Sequence, residues 1–305
     1  MPVKTLIVIA GPTAVGKTDV SIRLAQYLNC PILSADSRQF YREMSIGTAK
    51  PSPTELDAAP HHFIDSLSIH DAYSVGDYER QALAELERVF AKKDAAILAG
   101  GSGLFIRAVC EGMDNFPAVS EEINRDLEHD LAEKGLPALA QELRAADPVY
   151  HAEADLHNAR RVLRALAVIR SSGRTFTSFR RGAAPPRPFR CVYVILTRER
   201  EVLYSRINRR TDMMMQAGLL EEVKELYPHR HLKSLQTVGY QEFFKYLDGE
   251  ISLEEAVALV KRNSRRYAKR QMTWFKNQIP AGAAVGYFSP ADYAEILDFI
   301  EQNIG

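Results

Sequence analysis

The chain has 305 residues, more than one typical domain, and its 46% hydrophobic content is enough for a sizeable packed core. Its 39 basic side chains balance 39 acidic ones, so no whole-molecule field draws in a polyanion, and any such attraction must be local. The three cysteines, Cys30, Cys110 and Cys191, lie far apart with no C-x-x-C pair, which speaks against a disulfide framework and against a zinc site.

In chain order, Met1 to Ala10 lacks the charged region and cleavage site of a signal peptide and reads as a first strand. Thr5 to Ala10 is β-branched and aliphatic without alternation, as a parallel strand covered on both faces must be. A glycine-rich loop and a helix from about Lys17 to Leu28 follow. Further strands are expected at Pro31 to Ala35, Ala95 to Ala99 and Cys191 to Leu196, with a helix over Val75 to Lys92. The interval from Gly112 to Pro188 holds no convincing strand and reads as helices at Ser120 to Lys134, Leu136 to Ala146 and Asn158 to Ser171. Its exit, Gly182 to Pro188, resembles a linker or hinge. After the strand at Cys191 the chain reads as helical again, most clearly over Glu201 to Tyr227, Gln241 to Leu247 and Leu253 to Lys276. No apolar run approaches the roughly 20 residues that span a bilayer, so a cytoplasmic protein with no membrane partner is expected.

Gly11-Pro12-Thr13-Ala14-Val15-Gly16-Lys17-Thr18 matches G-x-x-x-x-G-K-[ST], and it falls between a buried strand and a helix, where its mechanism requires it. The glycines let backbone amides point inward, the helix terminus adds partial positive charge, Lys17 reaches an outer phosphate and the Thr18 hydroxyl can ligate Mg²⁺. The expected fold is therefore α/β, a P-loop NTPase-like parallel sheet flanked by helices. Residues 1–113 and 189–305 would build this core and 114–188 an all-helical insertion domain.

The loop does not reveal what the phosphates carry, and a nucleoside triphosphate in a small-molecule kinase is the default. Two features point elsewhere. Asp36, in Ser34-Ala35-Asp36-Ser37-Arg38-Gln39 after the second strand, would sit in the ligand crevice and could accept a proton from an incoming nucleophile, although an Asp there is often only a cap. Gln39, with donor and acceptor on one amide, suits a base edge. Gly100-Gly101-Ser102-Gly103, where many hydrolases place an aspartate, offers a hydroxyl and free amides suited to a bridging or leaving oxygen, or simply a capped helix start.

Charge is concentrated in two acid-free stretches. Asn158 to Arg190 holds nine arginines, and Ala258 to Pro280 seven lysines and arginines. In the first, Arg160, Arg161 and Arg164 oppose Val162, Leu166 and Ile169; in the second, Lys261, Arg265 and Lys269 run beside Arg262, Arg266 and Arg270, while Val260, Tyr267 and Trp274 recur every seven residues. Such bands suit nucleic-acid phosphates. No histidine spacing suggests a metal site, and the roles of His61, His62, Arg180 and Arg181 stay open.

With these segments in view, the chain resembles the bacterial tRNA dimethylallyltransferases, also called tRNA isopentenyltransferases. The likeness is carried by Gly11 to Thr18, Asp36 to Tyr41, Ile46 to Pro51, Gly100 to Arg107, Arg210 to Leu219, Val238 to Glu242 and Arg266 to Phe275. The resemblance implies transfer of a five-carbon group from dimethylallyl diphosphate to the exocyclic amine of the adenosine 3′ to the anticodon, in tRNAs reading codons that begin with U. It implies Asp36 as general base, Ser102 in place of the family's threonine near the bridging oxygen, and Lys17 and Arg210 on the departing pyrophosphate. Phe105 replaces a usual tyrosine. The anticodon stem-loop would meet Asp36, Ser37, Arg38, Gln39 and Ser102, then Arg160, Arg161, Val162, Leu163 and Arg164, then Gly239, Tyr240, Arg265, Arg266, Lys269, Arg270 and Gln271. No obligate protein partner is expected. An adenylate isopentenyltransferase, a P-loop kinase and a non-catalytic RNA-binding regulator remain as rivals.

Overall fold

The computed structural model describes residues 3–114, 116–180 and 186–304. Its residues gather into two compact units, one formed by Met1–Cys110 with Arg187–Gly305 and the other by Glu111–Pro186. Of the expected hinge Gly182 to Pro188, residues 182–185 lie outside the described residues, as does Arg181, while Arg187 donates to Val109 O, Ala108 O and Glu79.

The first unit begins with β1 (Thr5–Ala10), every residue of which is buried. Its alternate side chains enter opposite layers, which is why the segment shows no polar alternation. After β1 come α1 (Lys17–Leu28), β2 (Ile32–Ser34), α2 (Pro53–Ala58), β3 (His61–His62), α3 (Val75–Phe90), β4 (Ala95–Gly100) and α4 (Gly103–Glu111). Leu6 and Val8 pack with Tyr78 and Leu86 of α3, while Ile7 and Ile9 meet Val20 and Leu24 of α1. Full burial of each such side chain stabilises the fold by about 1.5–3 kcal/mol.

In the second unit α5 (Glu121–Ala146), α6 (Pro148–Glu153) and α7 (Ala159–Ser172) surround their own core of Leu127, Leu143, Val162 and Leu166. Backbone at Gly135 is not helical, and it divides α5 where two separate helices are expected. Among the described residues of this unit there is no strand.

Back in the first unit, β5 (Arg190–Leu196) is followed by α8 (Arg200–Gln216), α9 (Leu219–Leu226), α10 (Gln241–Leu247), α11 (Leu253–Asn277), β6 (Ala284–Phe288) and α12 (Tyr293–Asn303). The single helix expected over Glu201 to Tyr227 is two. Gly218 between them adopts φ 98°, a left-handed conformation that ends one helix and starts the next. The six strands lie in the order β3-β2-β4-β1-β5-β6, all pairs parallel. Edge strands β3 and β6 escape the sequence pattern: β3 has only two residues, and β6 alternates half-buried and exposed positions. With β4 between β1 and β2, the loops after β1, β2 and β4 share one carboxyl-end crevice, where open α/β sheets bind ligands.

Candidate active site

The loop after β1 turns tightly against β5. A Cβ on Gly11 would come within 2.6 Å of the Leu196 carbonyl oxygen, so only glycine fits. Its carbonyls are held from outside by two arginines: Arg198 Nε donates to Val15 O at 2.7 Å and Arg206 Nε to Ala14 O at 2.8 Å. Fixing those oxygens constrains the orientation of the intervening amides. Neither arginine stands out in the sequence, because a cation that braces a backbone looks like any other surface cation. Arg210, one helical turn beyond Arg206 on α8, donates to Thr13 Oγ1 at 3.3 Å.

Lys17 Nζ rests on Gly11 O and Pro12 O at 3.1 and 2.9 Å. Burial pulls its pKa down to about 8, Asp36 opposes that shift and Arg210 adds to it. Burial also lowers the Arg210 pKa from its ordinary value. A polyanion entering this cup would find two cations already stripped of much of their water.

A cavity of about 280 Å³ opens at the crevice, lined by Thr13, Lys17, Thr18, Asp36, Arg38, Tyr267 and neighbours. Among its lining residues Lys17, Arg38 and Arg210 are cationic and Asp36 is the sole carboxylate. That balance suits a diphosphate beside a neutral nucleophile.

Asp36 is pinned by its own turn, its Oδ1 accepting from Arg38 N at 3.1 Å. Arg38 Nη1 donates to Ser234 O at 2.7 Å. The Ser102 hydroxyl accepts from Ser37 N at 3.1 Å and donates to Ser37 Oγ at 3.2 Å, so it ties the β4 loop to the β2 loop instead of capping its own helix. Ser102 is not among the described residues that line the cavity.

Several residues expected at the RNA also brace the backbone, and of these Gln39, Gly239, Tyr240 and Gln271 line the cavity. Gln271, only 6% exposed, accepts from Thr13 N at 2.9 Å and donates to Gly101 O at 2.8 Å. Gln39 Nε2 donates to Thr48 O at 3.3 Å and to Ala49 O at 3.1 Å. Tyr240 is fully buried, its hydroxyl donating to Glu222 at 2.7 Å, and Gly239 N donates to Glu242. Val162 is likewise 0% exposed, and Leu163 is partly buried against the core of its unit. Arg265 is turned to Asn208 Oδ1 at 2.6 Å. Arg160, Arg161 and Arg164 on α7 and Arg266, Lys269 and Arg270 on α11 are exposed.

Glu222 belongs to no motif and is not singled out by its residue type or spacing. Its carboxylate accepts from Ser45 N, Ile46 N and Gly47 N at 2.7–2.9 Å, shaping the segment whose Gly47, Thr48 and Ala49 wall the cavity. His61 also lines the cavity, with Nδ1 on Ala59 O, whereas His62 faces Glu85. Arg180 pairs with Glu153 within its own unit. Among the described residues no cluster of three His, Cys, Asp or Glu side chains could hold a metal, and no helix is long and apolar enough to cross a membrane.

Fold and cavity together define a P-loop NTPase-like protein whose glycine-rich loop and one carboxylate, Asp36, share a cavity. More particularly, the chain belongs to the IPP transferase family, whose sequence model matches residues 39–278. It is 47% identical to tRNA dimethylallyltransferase 1 of Phocaeicola vulgatus over 97% of each chain, and 46% identical to tRNA dimethylallyltransferase of Christiangramia forsetii over 98% of each. The structure of the full-length tRNA isopentenylpyrophosphate transferase from Bacillus halodurans superposes with a TM-score of 0.72 at 39% identity, covering 99% of this chain and 97% of that one. A eukaryotic dimethylallyltransferase acting on tRNA shares the fold at TM-score 0.79 and 24% identity, covering 98% of this chain and 80% of that one.

Proposed function

We propose that the protein transfers a dimethylallyl group from dimethylallyl diphosphate to the exocyclic amine of the adenosine 3′ to the anticodon, in tRNAs reading codons that begin with U. The observation that carries this reading is the pairing of a cation-rich phosphate cup with one carboxylate, Asp36, at the same cavity. Kinship with named tRNA dimethylallyltransferases supplies the donor and acceptor classes. The work would be done in the cytoplasm, where unmodified tRNA is found.

The pyrophosphate would lie in the Gly11–Thr18 cup with Lys17 and Arg210 against its oxygens. As the allylic carbon–oxygen bond breaks, the electron pair moves onto pyrophosphate and a delocalised cation forms, so each donor aimed at the growing anion lowers the barrier by roughly 3 kcal/mol. The adenine amine attacks the cation and its surplus proton passes to Asp36. Ser102 would hold Ser37 and thereby the Asp36 turn. Mg²⁺ fits here: Thr18 lines the cavity, and the nearby buried Ser21 hydroxyl has no protein partner, leaving it for a water of the hydrated ion. Thr18 would hold the ion, which when bound would supply positive charge against the pyrophosphate.

On the RNA side, an unpaired adenosine leaves its stack at a cost of a few kcal/mol, least in a single-stranded loop. Arg160, Arg161 and Arg164 of the helical unit, with Arg266, Lys269 and Arg270 of α11, would meet its phosphates. Incubation with dimethylallyl diphosphate, Mg²⁺ and such an unmodified tRNA should give prenylated adenosine by nucleoside mass spectrometry, and ATP in place of the donor should transfer nothing. Absence of product would refute the assignment. Asp36→Ala should lower turnover about 10²–10⁴-fold with tRNA affinity retained.

A further inference from the structure

Two of the segments that carry the family likeness, Ile46 to Pro51 and Val238 to Glu242, supply no step of the reaction proposed above. Both nevertheless line the cavity, the first through Gly47, Thr48, Ala49 and Pro51 and the second through Val238, Gly239 and Tyr240. The two touch: a Cβ on Gly47 would come within 2.6 Å of the Tyr240 ring, so only glycine lets them meet. Both also converge on Glu222 of α9, which accepts from the amides of Ser45, Ile46 and Gly47 and, at 2.7 Å, from the Tyr240 hydroxyl. Burial, reinforced by the Glu222 charge, pushes the phenol pKa far up, so the proton stays on Tyr240 and the bond runs to the carboxylate. Glu242, only 5% exposed, steadies the second segment, accepting from Gly239 N at 2.9 Å and from Asn263 Nδ2 at 2.7 Å.

This wall is fastened to the turn that bears Asp36. Gln39 ties that turn to Thr48 O and Ala49 O, and Arg38 ties it to Ser234 O, just before the second segment. The phosphate cup has its own braces in Arg198, Arg206 and Gln271, whose bonds go to Val15, Ala14, Thr13 and Gly101. We infer that Glu222 is a positioning residue for the acceptor: by holding Gly47 and Tyr240 together it fixes the surface against which the adenine ring lies while its amine faces Asp36. The inference rests on the reaction proposed above. With no side chain at Gly47, the shape of the wall there is the shape of the backbone, and Glu222 sets that backbone through three consecutive amides. Without the carboxylate, those amides and a buried phenol lose their acceptor at once. A shift of about 1 Å between reacting groups costs on the order of 10²-fold in rate, so a brace at this distance from the chemistry still reaches it.

The test compares wild type, Glu222→Gln, Glu222→Ala, Asp36→Ala and the double variant Asp36→Ala with Glu222→Gln, using tRNA and dimethylallyl diphosphate. Glutamine keeps the shape and one acceptor oxygen but turns an N–H towards the donors, so kcat should fall about tenfold; alanine, with no acceptor, should lose about 10²-fold. Kd for dimethylallyl diphosphate, and Kd for tRNA, which phosphate contacts dominate, should move by less than about threefold. Once Asp36 is gone, placement against it no longer matters, and the Glu222→Gln loss should shrink to about threefold or less. A brace that merely stabilises the fold would lower the active fraction by the same factor in both backgrounds. Wild-type kcat in Glu222→Gln, equal losses with and without Asp36, or donor affinity falling in step with kcat overturns the inference, and Glu222→Gln decides it if Glu222→Ala does not fold. Wild-type enzyme yielding no prenylated tRNA overturns the underlying reaction, whereas an active wild type with unaltered Glu222 variants overturns this inference alone.

Discussion

Lys17 shows how much of the cup's chemistry is carried by one side chain. Its ammonium donates to Gly11 O and Pro12 O, and burial pulls its pKa down to about 8. A bound diphosphate favours the charged form and pulls the value back up. The sign follows directly. Below pH 8 the charge is already present, whereas above it binding must recruit a proton, so diphosphate affinity should weaken by up to about tenfold per pH unit as pH rises past 8. Calorimetric titration of dimethylallyl diphosphate from pH 7 to 9 reads this, and Lys17→Met should be weaker throughout with that component of the slope gone. The P-loop and Asp36 were legible because their residue types are forced by backbone shape and by proton chemistry. Arg198, Arg206 and Glu222 were not, since their partners are main-chain atoms far away in sequence.

At the level of the element, α11 has three tasks. Its Phe275 joins the central core, Gln271 locks two loops together, and Arg266, Lys269 and Arg270 face outward. Periodicity found the helix to within a residue or so, because 3.6-residue spacing is a local property. It did not show that Tyr267 lines the cavity or that Gln271 is a buried polar clamp, because such residues occupy helix positions identical to those of core and surface. Gln271→Ala should strand the Thr13 amide and the Gly101 carbonyl, lowering stability by about 1–3 kcal/mol in denaturant unfolding and raising KM for the prenyl donor. Similarly, α8 and α9 look continuous until the Gly218 dihedral is known, and β3 and β6 carry too little pattern to be read.

Across the whole molecule, balanced charge hides local asymmetry. A protein of zero net charge still places three exposed arginines on the first two turns of α7, and RNA affinity would depend on such patches and not on the total. Replacing Arg160, Arg161 and Arg164 together by glutamine should reduce the magnitude of the slope of log affinity for tRNA against log salt by about 2–3 and leave donor binding unchanged. Filter binding across a salt series provides the measurement. The Gln271 clamp has a mechanical corollary. One primary amide has both of its ends in use, so the turn that would wrap the pyrophosphate cannot shift without tugging the helix whose outer face carries Arg266, Lys269 and Arg270, and occupancy of the cup becomes a strain felt on the surface that would meet the nucleic acid.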